Sequence, residues 1–250
     1  MKKLMSENEF SGMMKTLVNI PSIHTNDTVK LRKFVEAIYY MSRAGCAWRL
    51  LPECYGQWRT VHKRFVAWNR RNIWQKIFEN VQIDPDMEYV MLDSTIVRSH
   101  ACSSGYKKDS QATEALGRSR GGFTTKIHAL TDALGNPLKF VLTAGQRNDI
   151  TQAELLSEGI FNTPHLADKG YDSKAFAAGL VVRGCTPIIP SRVNSKQPRS
   201  YDEHIYKERS CIEICFGKMK HFRRIFSRFD KAASSYLAFV YFVGALIWLR

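Results

Sequence analysis

The chain of 250 residues predicts a mixed α/β layer domain preceded by a small all-helical region of helix-turn-helix outline. Apolar residues recur at helical spacing as far as about residue 80, and the pattern shifts to strand-like runs from residue 89. Beyond that point strands and helices follow one another in the order βββαβαβα, with no internal repeat. Residues 1–86 are therefore read as a helical domain with its core at about 29–80, and residues 87–250 as an α/β domain ending in helices.

In the helical part, VKLRKFVEAIYYMSRA (29–44) places Leu31, Phe34, Val35, Ile38, Tyr39 and Met41 close to one face, with Gly45 as the stop. A turn-rich LLPECYGQ leads into WRTVHKRFVAWNRRNIWQKIF, read as one basic helix. Val61, Phe65, Trp68, Ile73 and Ile77 form its apolar face, while Arg59, Lys63, Arg64, Arg70 and Arg71 stay outside. Helix, short turn and basic helix outline a DNA reader, and equally a plain bundle with a solvated basic face. Trp48, Trp58, Trp68 and Trp74 are read as core. Residues 1–28 receive no function, and VQIDPDME (81–88) reads as a linker.

The α/β part opens with the strand YVMLDSTIV (89–97), followed by a polar, glycine-bearing loop, SSGYKKDSQATEALGRSRGG. FTTKIHALTD and PLKFVLTAG, joined by ALGN, predict a hairpin. Asp149 with Gln152 three residues on reads as a capping box for a helix over ITQAELLSEG. HLADKGYDS predicts a short strand and its exit loop, then a helix from about Ser173, a strand at CTPIIP, a basic linker, and a long helix over about 202–224.

Charge narrows the class of partner. Thirty-seven Lys+Arg against 23 Asp+Glu give +14, while 44% hydrophobic residues exclude a disordered basic tail. The excess lies in two regions, 1–86 and 183–231, flanking a neutral middle. Nucleic acid is the expected anionic partner, with an anionic membrane surface as runner-up. Six cysteines without a CxxC pair, and no N-terminal signal peptide, suggest reduced thiols in a cytoplasm. The pairs Cys211/Cys215 and His100/Cys102 read as packing residues. The uncharged stretch 232–249 narrows to YLAFVYFVGALIWL, which suits a buried core helix better than a membrane span.

Asp93 is anomalous, because an ionised carboxylate in the middle of a buried strand needs a compensating partner. On a continuous helix at about 100° per residue, Tyr206, Arg209, Glu213 and Lys220 share a stripe about 60° wide beside an apolar flank. Taken alone, that stripe is a solvated face with one i, i+4 ion pair. With Asp93 and Asp168 added, three carboxylates on two strands and a helix can form a cluster whose repulsion a cation relieves, and Mg²⁺ suits such oxygen ligands. Two such ions support nucleotidyl transfer, and Arg209, Lys218, Lys220, Arg223 and Arg224 would hold a DNA backbone across the cluster. Asp172 shares a loop with Asp168, but its place before Ser173 suits a helix cap. His128 and His165 read as core histidines. Ser94 and Thr95 lack a Gly-x-Ser-x-Gly elbow.

These residues resemble the DDE transposases of bacterial insertion sequences, in the group typified by insertion sequence 5. The spacing Tyr206, Arg209, Glu213, Lys220 matches that family's third-carboxylate signature without a gap. LDSTIVRSH, GRSRGGFTTKIHALTDALGNP, LADKGYDS, KHFRRIFSRFDK, GALIWLR and RAGCAWRLLPECYGQWRTVHKRFVAW extend the resemblance from about residue 30 to the end. It implies an RNase H-like core in which Asp93, Asp168 and Glu213 bind two Mg²⁺ ions, or Mn²⁺ in their place. It also implies a helical domain that binds terminal inverted repeats through residues such as Arg59, Lys63 and Arg64. The implied reaction is hydrolysis at the transposon ends, then attack of the freed 3′-hydroxyl on target DNA. Tyr206, Arg209 and Lys220 match positions that organise the site and grip the DNA end. The partner is double-stranded DNA with no membrane, and a homodimer or higher oligomer is expected because two ends are processed together. The alternatives are a DNA-binding regulator with an inert α/β domain and an RNase H-like nuclease without strand transfer.

Overall fold

A computed structural model describes residues 5–21, 23, 27–103, 114–119, 122–195 and 198–250; most of the polar loop expected after the first strand lies outside them. The chain forms two compact units, one of Met1–Ile83, Val97–Glu114 and Lys218–Arg250, the other of Asp84–Ile96 and Ala115–Gly217.

The first unit begins with helices. α1 (Glu7–Val18) opens in a capping box between Ser6 and Glu9. α2 (Thr28–Ala44) starts where the Asp27 carboxylate accepts the Lys30 N–H, and ends at Gly45 with φ 61°. A Cβ at Gly45 would lie 2.9 Å from that of Arg223, so glycine satisfies both the left-handed turn and the close approach. The expected single basic helix is two helices, α3 (Trp58–Arg70) and α4 (Ile73–Asn80), broken at Asn72 with φ 53°. Arg70-Arg71-Asn72 offers no apolar anchor, and Asn tolerates the left-handed conformation. The break lets Trp68 and Trp74 both enter the core, at 5.0 Å between rings, whereas Trp48 and Trp58 are half-buried.

The second unit is built on a mixed sheet. In chain order it has β1 (Val90–Ser99), β2 (Gly117–Ser119), β3 (Gly122–Thr131), β4 (Pro137–Ala144), α5 (Ala153–Ser157), β5 (His165–Ala167), α6 (Lys174–Val182), β6 (Pro187–Ile188), α7 (Glu203–Tyr206) and α8 (Ser210–Lys220). The last residues of β1 and α8 belong to the first unit. β3 lies between β1 and its antiparallel hairpin partner β4, and β5 runs parallel to β1 with β6 parallel beyond it. The expected order of elements is kept, with β2 as a short antiparallel addition to the start of β3. Val90, Leu92, Leu130, Leu156, Tyr171, Phe176 and Leu180 share the core under this sheet. The long helix expected over 202–224 is segmented. A 3₁₀ turn at Lys207–Arg209 separates α7 from α8, and Phe222, buried in extended backbone, ends the run before α9 (Arg223–Phe226).

Back in the first unit, β7 (Ser227–Arg228) pairs with Arg98 and Ser99, and α10 (Ala233–Trp248) follows. α10 is apolar all round and buried along most of its length, as a core helix must be. Phe239 stacks on Phe65 at 4.6 Å, and Phe242 meets Trp74 edge-on at 5.7 Å. No helix among the described residues is long and apolar enough to cross a membrane.

Candidate active site

The register of two parallel strands builds the site. Val90, Met91 and Leu92 pair with His165, Leu166 and Ala167, so the next step sets Asp93 beside Asp168 where β5 ends. Asp93 is the fourth residue of the ten-residue β1 and Asp168 follows the last residue of β5, so the two stand side by side on neighbouring parallel strands. Asp168 is held by its own loop, its Oδ1 accepting the Gly170 N–H at 2.8 Å. Asp93 Oδ1 accepts the Ser94 N–H at 2.7 Å, and its Oδ2 accepts from Arg209 at 2.7 Å.

Arg209 is the hinge of the cluster. It stands in the 3₁₀ turn between α7 and α8, and its second amino group donates to Glu213 one turn on. Arg209 therefore links a carboxylate on β1 to one on α8. Burial raises the Asp93 pKa; the Ser94 N–H and Arg209 oppose that rise, and the nearby Asp168 charge adds to it. For Arg209, burial works against the charge, but Asp93, Tyr206 and Glu213 hold its pKa above the ordinary value. The Tyr206 ring centre is 6.0 Å from the guanidinium carbon. Asp93 and Asp168 are thus neighbours, and Glu213 is joined to Asp93 by a cation.

Among the described residues, no three His, Cys, Asp or Glu side chains are grouped closely enough to enclose a metal ion. What is present is a pair of hard oxygen donors side by side, Asp93 half-buried and raised in pKa, with a guanidinium supplying the positive charge. That donor chemistry fits Mg²⁺ or Mn²⁺ at Asp93 and Asp168.

The other expected site residues are placed variously. Arg59 and Lys63 are exposed on α3, and Arg64 lies half-buried over the Phe34 and Trp68 rings. Lys218 and Arg223 are exposed, and Lys220 is half-buried. Arg224 corrects the expectation of a DNA contact. It is 2% exposed, donates two hydrogen bonds to Asp230 and one to the Cys46 carbonyl, and packs over Phe239. Its sequence neighbours gave no hint, because the inward turn at Phe222 decides which of the two arginines faces solvent.

Two aspartates read as helix caps are not caps. Ser173 caps α6, while Asp172 accepts from the Arg192 N–H at 2.8 Å and pairs with Arg199. Asp149 caps nothing; its Oδ1 accepts from Ser94 Oγ at 2.7 Å and Lys126 Nζ at 2.8 Å. His128 and His165 are fully buried, as expected. Lys126 went unread in the sequence, although a lysine in the middle of a strand is the same kind of anomaly as Asp93. The Tyr171 hydroxyl is buried without a hydrogen-bond partner among the described residues, and burial raises its pKa, with Asp149, Asp93 and Asp168 adding to the rise.

Comparison with known proteins matches both parts of the chain to family models: "Putative transposase of IS4/5 family" over residues 6–78 and "Transposase DDE domain" over residues 84–247. A "Putative transposase for insertion sequence element IS6501" from Brucella ovis (strain ATCC 25840 / 63/290 / NCTC 10512) is 39% identical over 132 residues, 51% of this chain and 99% of that protein. A "Putative transposase for insertion sequence element IS402" from Burkholderia cepacia is 33% identical over 128 residues, 46% of this chain and 58% of that protein. A solved structure of the piggyBac transposase synaptic complex with hairpin DNA aligns with a TM-score of 0.41 at 11% identity, covering 76% of this chain and 50% of that one.

Proposed function

We propose, since the chain belongs to the DDE transposases of insertion-sequence elements, that it cuts DNA at the ends of such an element and joins them to a target in a reaction that depends on a divalent metal. The observation that carries this reading is the register that sets Asp93 beside Asp168, with Glu213 tethered through Arg209. Asp93 and Asp168 would hold Mg²⁺ or Mn²⁺, and Glu213 would complete the set. A metal held there would supply Lewis acidity to the attacking hydroxyl and to the leaving oxygen of the phosphodiester.

Arg209 bonds both Asp93 and Glu213 and would offer its charge to a phosphate of the bound DNA. Tyr206 buttresses the guanidinium, and Lys218, Lys220 and Arg223 serve the DNA backbone through charge, without reading sequence. Arg59 and Lys63 on α3 face solvent, as contacts to the terminal inverted repeats require, with Arg64 beside them. Helices α1 to α4 would hold the ends, and the chemistry would rest on the unit of Asp84–Ile96 and Ala115–Gly217, which carries Asp93, Asp168 and Glu213. A dimer or higher oligomer on DNA brings two ends together, in the cytoplasm.

The test is Mg²⁺-dependent cleavage of a terminal-repeat duplex by wild type and by Asp93→Ala, Asp168→Ala and Glu213→Ala. Loss of cleavage by at least about a hundredfold is expected from each. Unchanged cleavage in the variants would overturn the assignment, and cleavage without strand-transfer joints would leave a nuclease.

A further inference from the structure

Asp149 lies outside the three-carboxylate signature, yet it is bonded to the residue that follows Asp93. Ser94 makes two connections at once: its backbone N–H holds Asp93 Oδ1 at 2.7 Å, and its hydroxyl donates to Asp149 Oδ1 at 2.7 Å. Asp149 is fixed in turn by Lys126, whose ammonium lies 2.8 Å from the same oxygen and 2.8 Å from the Arg147 carbonyl. Lys126 is only 8% exposed, so its charge is matched by Asp149 more than by water. The pair adds no net charge behind Asp93, and so can orient it without adding to the repulsion between Asp93 and Asp168.

A purely structural ion pair joining β3 to the loop after β4 would have no need of Ser94. Here the shared oxygen of Asp149 accepts from both Lys126 and Ser94, and Ser94 is itself bonded to Asp93. These groups therefore occupy one neighbourhood. We infer that Lys126, Asp149 and Ser94 form a positioning unit that holds the Asp93 carboxylate in its metal-binding orientation. Groups that orient a metal ligand in this way commonly change metal affinity by about tenfold or more when removed.

The inference rests on the proposed role of Asp93 as a metal ligand, so the experiment includes that ligand. Mn²⁺ binding to the full chain without DNA is measured by electron paramagnetic resonance for wild type, Asp93→Ala, Ser94→Ala, Ser94→Thr, Asp149→Ala and the Ser94→Ala/Asp149→Ala double variant. Ser94→Ala and Asp149→Ala should each weaken binding roughly tenfold, the double variant should be no weaker than Asp149→Ala, and Ser94→Thr should restore affinity. The Mg²⁺ concentration for half-maximal cleavage should rise in parallel, with the rate at saturating Mg²⁺ largely retained. If Asp93→Ala loses Mn²⁺ while Ser94→Ala and Asp149→Ala bind it as wild type does, the positioning unit is refuted and Asp93 stands. If Asp93→Ala binds as wild type, the reading of Asp93 falls and this inference with it. Should Asp149→Ala fail to fold, Ser94→Ala and Ser94→Thr decide the matter alone.

Discussion

Arg224 in the first unit and Arg209 in the second both pair with carboxylates, but one pair is closed and the other open. Arg224 grips both oxygens of Asp230 at 2.8 and 3.0 Å, with side chains 3% and 7% exposed, and spends its remaining amino group on a carbonyl. Arg209 divides itself between two carboxylates from different elements, and its Glu213 partner is 58% exposed. A charge that is fully matched and dry has no partner to exchange. A charge shared between a half-buried and an exposed carboxylate keeps solvent at one of its partners. The difference separates a structural arginine from the one the proposed site would use, although the two are only 15 positions apart in a basic stretch.

The largest effect expected from this contrast is on stability. Arg224→Ala strands the Asp230 carboxylate in the core and should cost about 3–5 kcal/mol, seen as a lowered denaturation midpoint. A loss below about 1 kcal/mol would break the closed half of the comparison.

Next comes a pH effect from a closed group without a counter-ion. Burial pushes the pKa of His165 down to about 4; its Nδ1 faces the Thr163 carbonyl and its Nε2 is buried without a partner among the described residues. A protonated Nε2 would be an unmatched donor. Because the folded pKa lies below the unfolded value, the unfolded chain takes up the proton first. Stability present above about pH 6.5 is therefore lost as pH falls toward 4, by up to about 3 kcal/mol. Urea unfolding across that window should show the slope, which the equally buried His128 shares, and His165→Gln should reduce it.

Arg209→Ala should cost less than about 1 kcal/mol in the same unfolding assay, because the pair is partly solvated and its partners can take up water. A loss as large as that of Arg224→Ala would erase the distinction. The smallest effect concerns the exposed lysine. Lys218→Gln should weaken DNA binding equally across sequences and flatten the salt dependence by about one unit in log–log slope. A change in sequence preference alone would contradict a backbone contact.

Much of this was legible in the residues. The helices at 28–44 and 233–248, the hairpin and the short strands carry local patterns, because side-chain periodicity records which face is buried. Asp93 was legible as a charge out of place, and the 206–220 spacing as a family signature. Less legible were the breaks at Asn72 and Phe222 and the segmented helix over 203–226, since those depend on which aromatic side chain finds room inside. Asp149 and Asp172 look like caps in a linear string, and only their three-dimensional partners show otherwise.

The sequence by itself determined the fold class, the family and the chemical kinds of the site residues, because periodicity, composition and spacing are local properties of the chain. The tertiary structure alone decided that Asp93 and Asp168 stand in register, that Arg209 and not Arg224 serves the carboxylates, and that Asp149 stands behind Ser94. Each of those facts is a contact between residues at least 55 positions apart, or the burial of a charge, and both depend on how the whole chain packs.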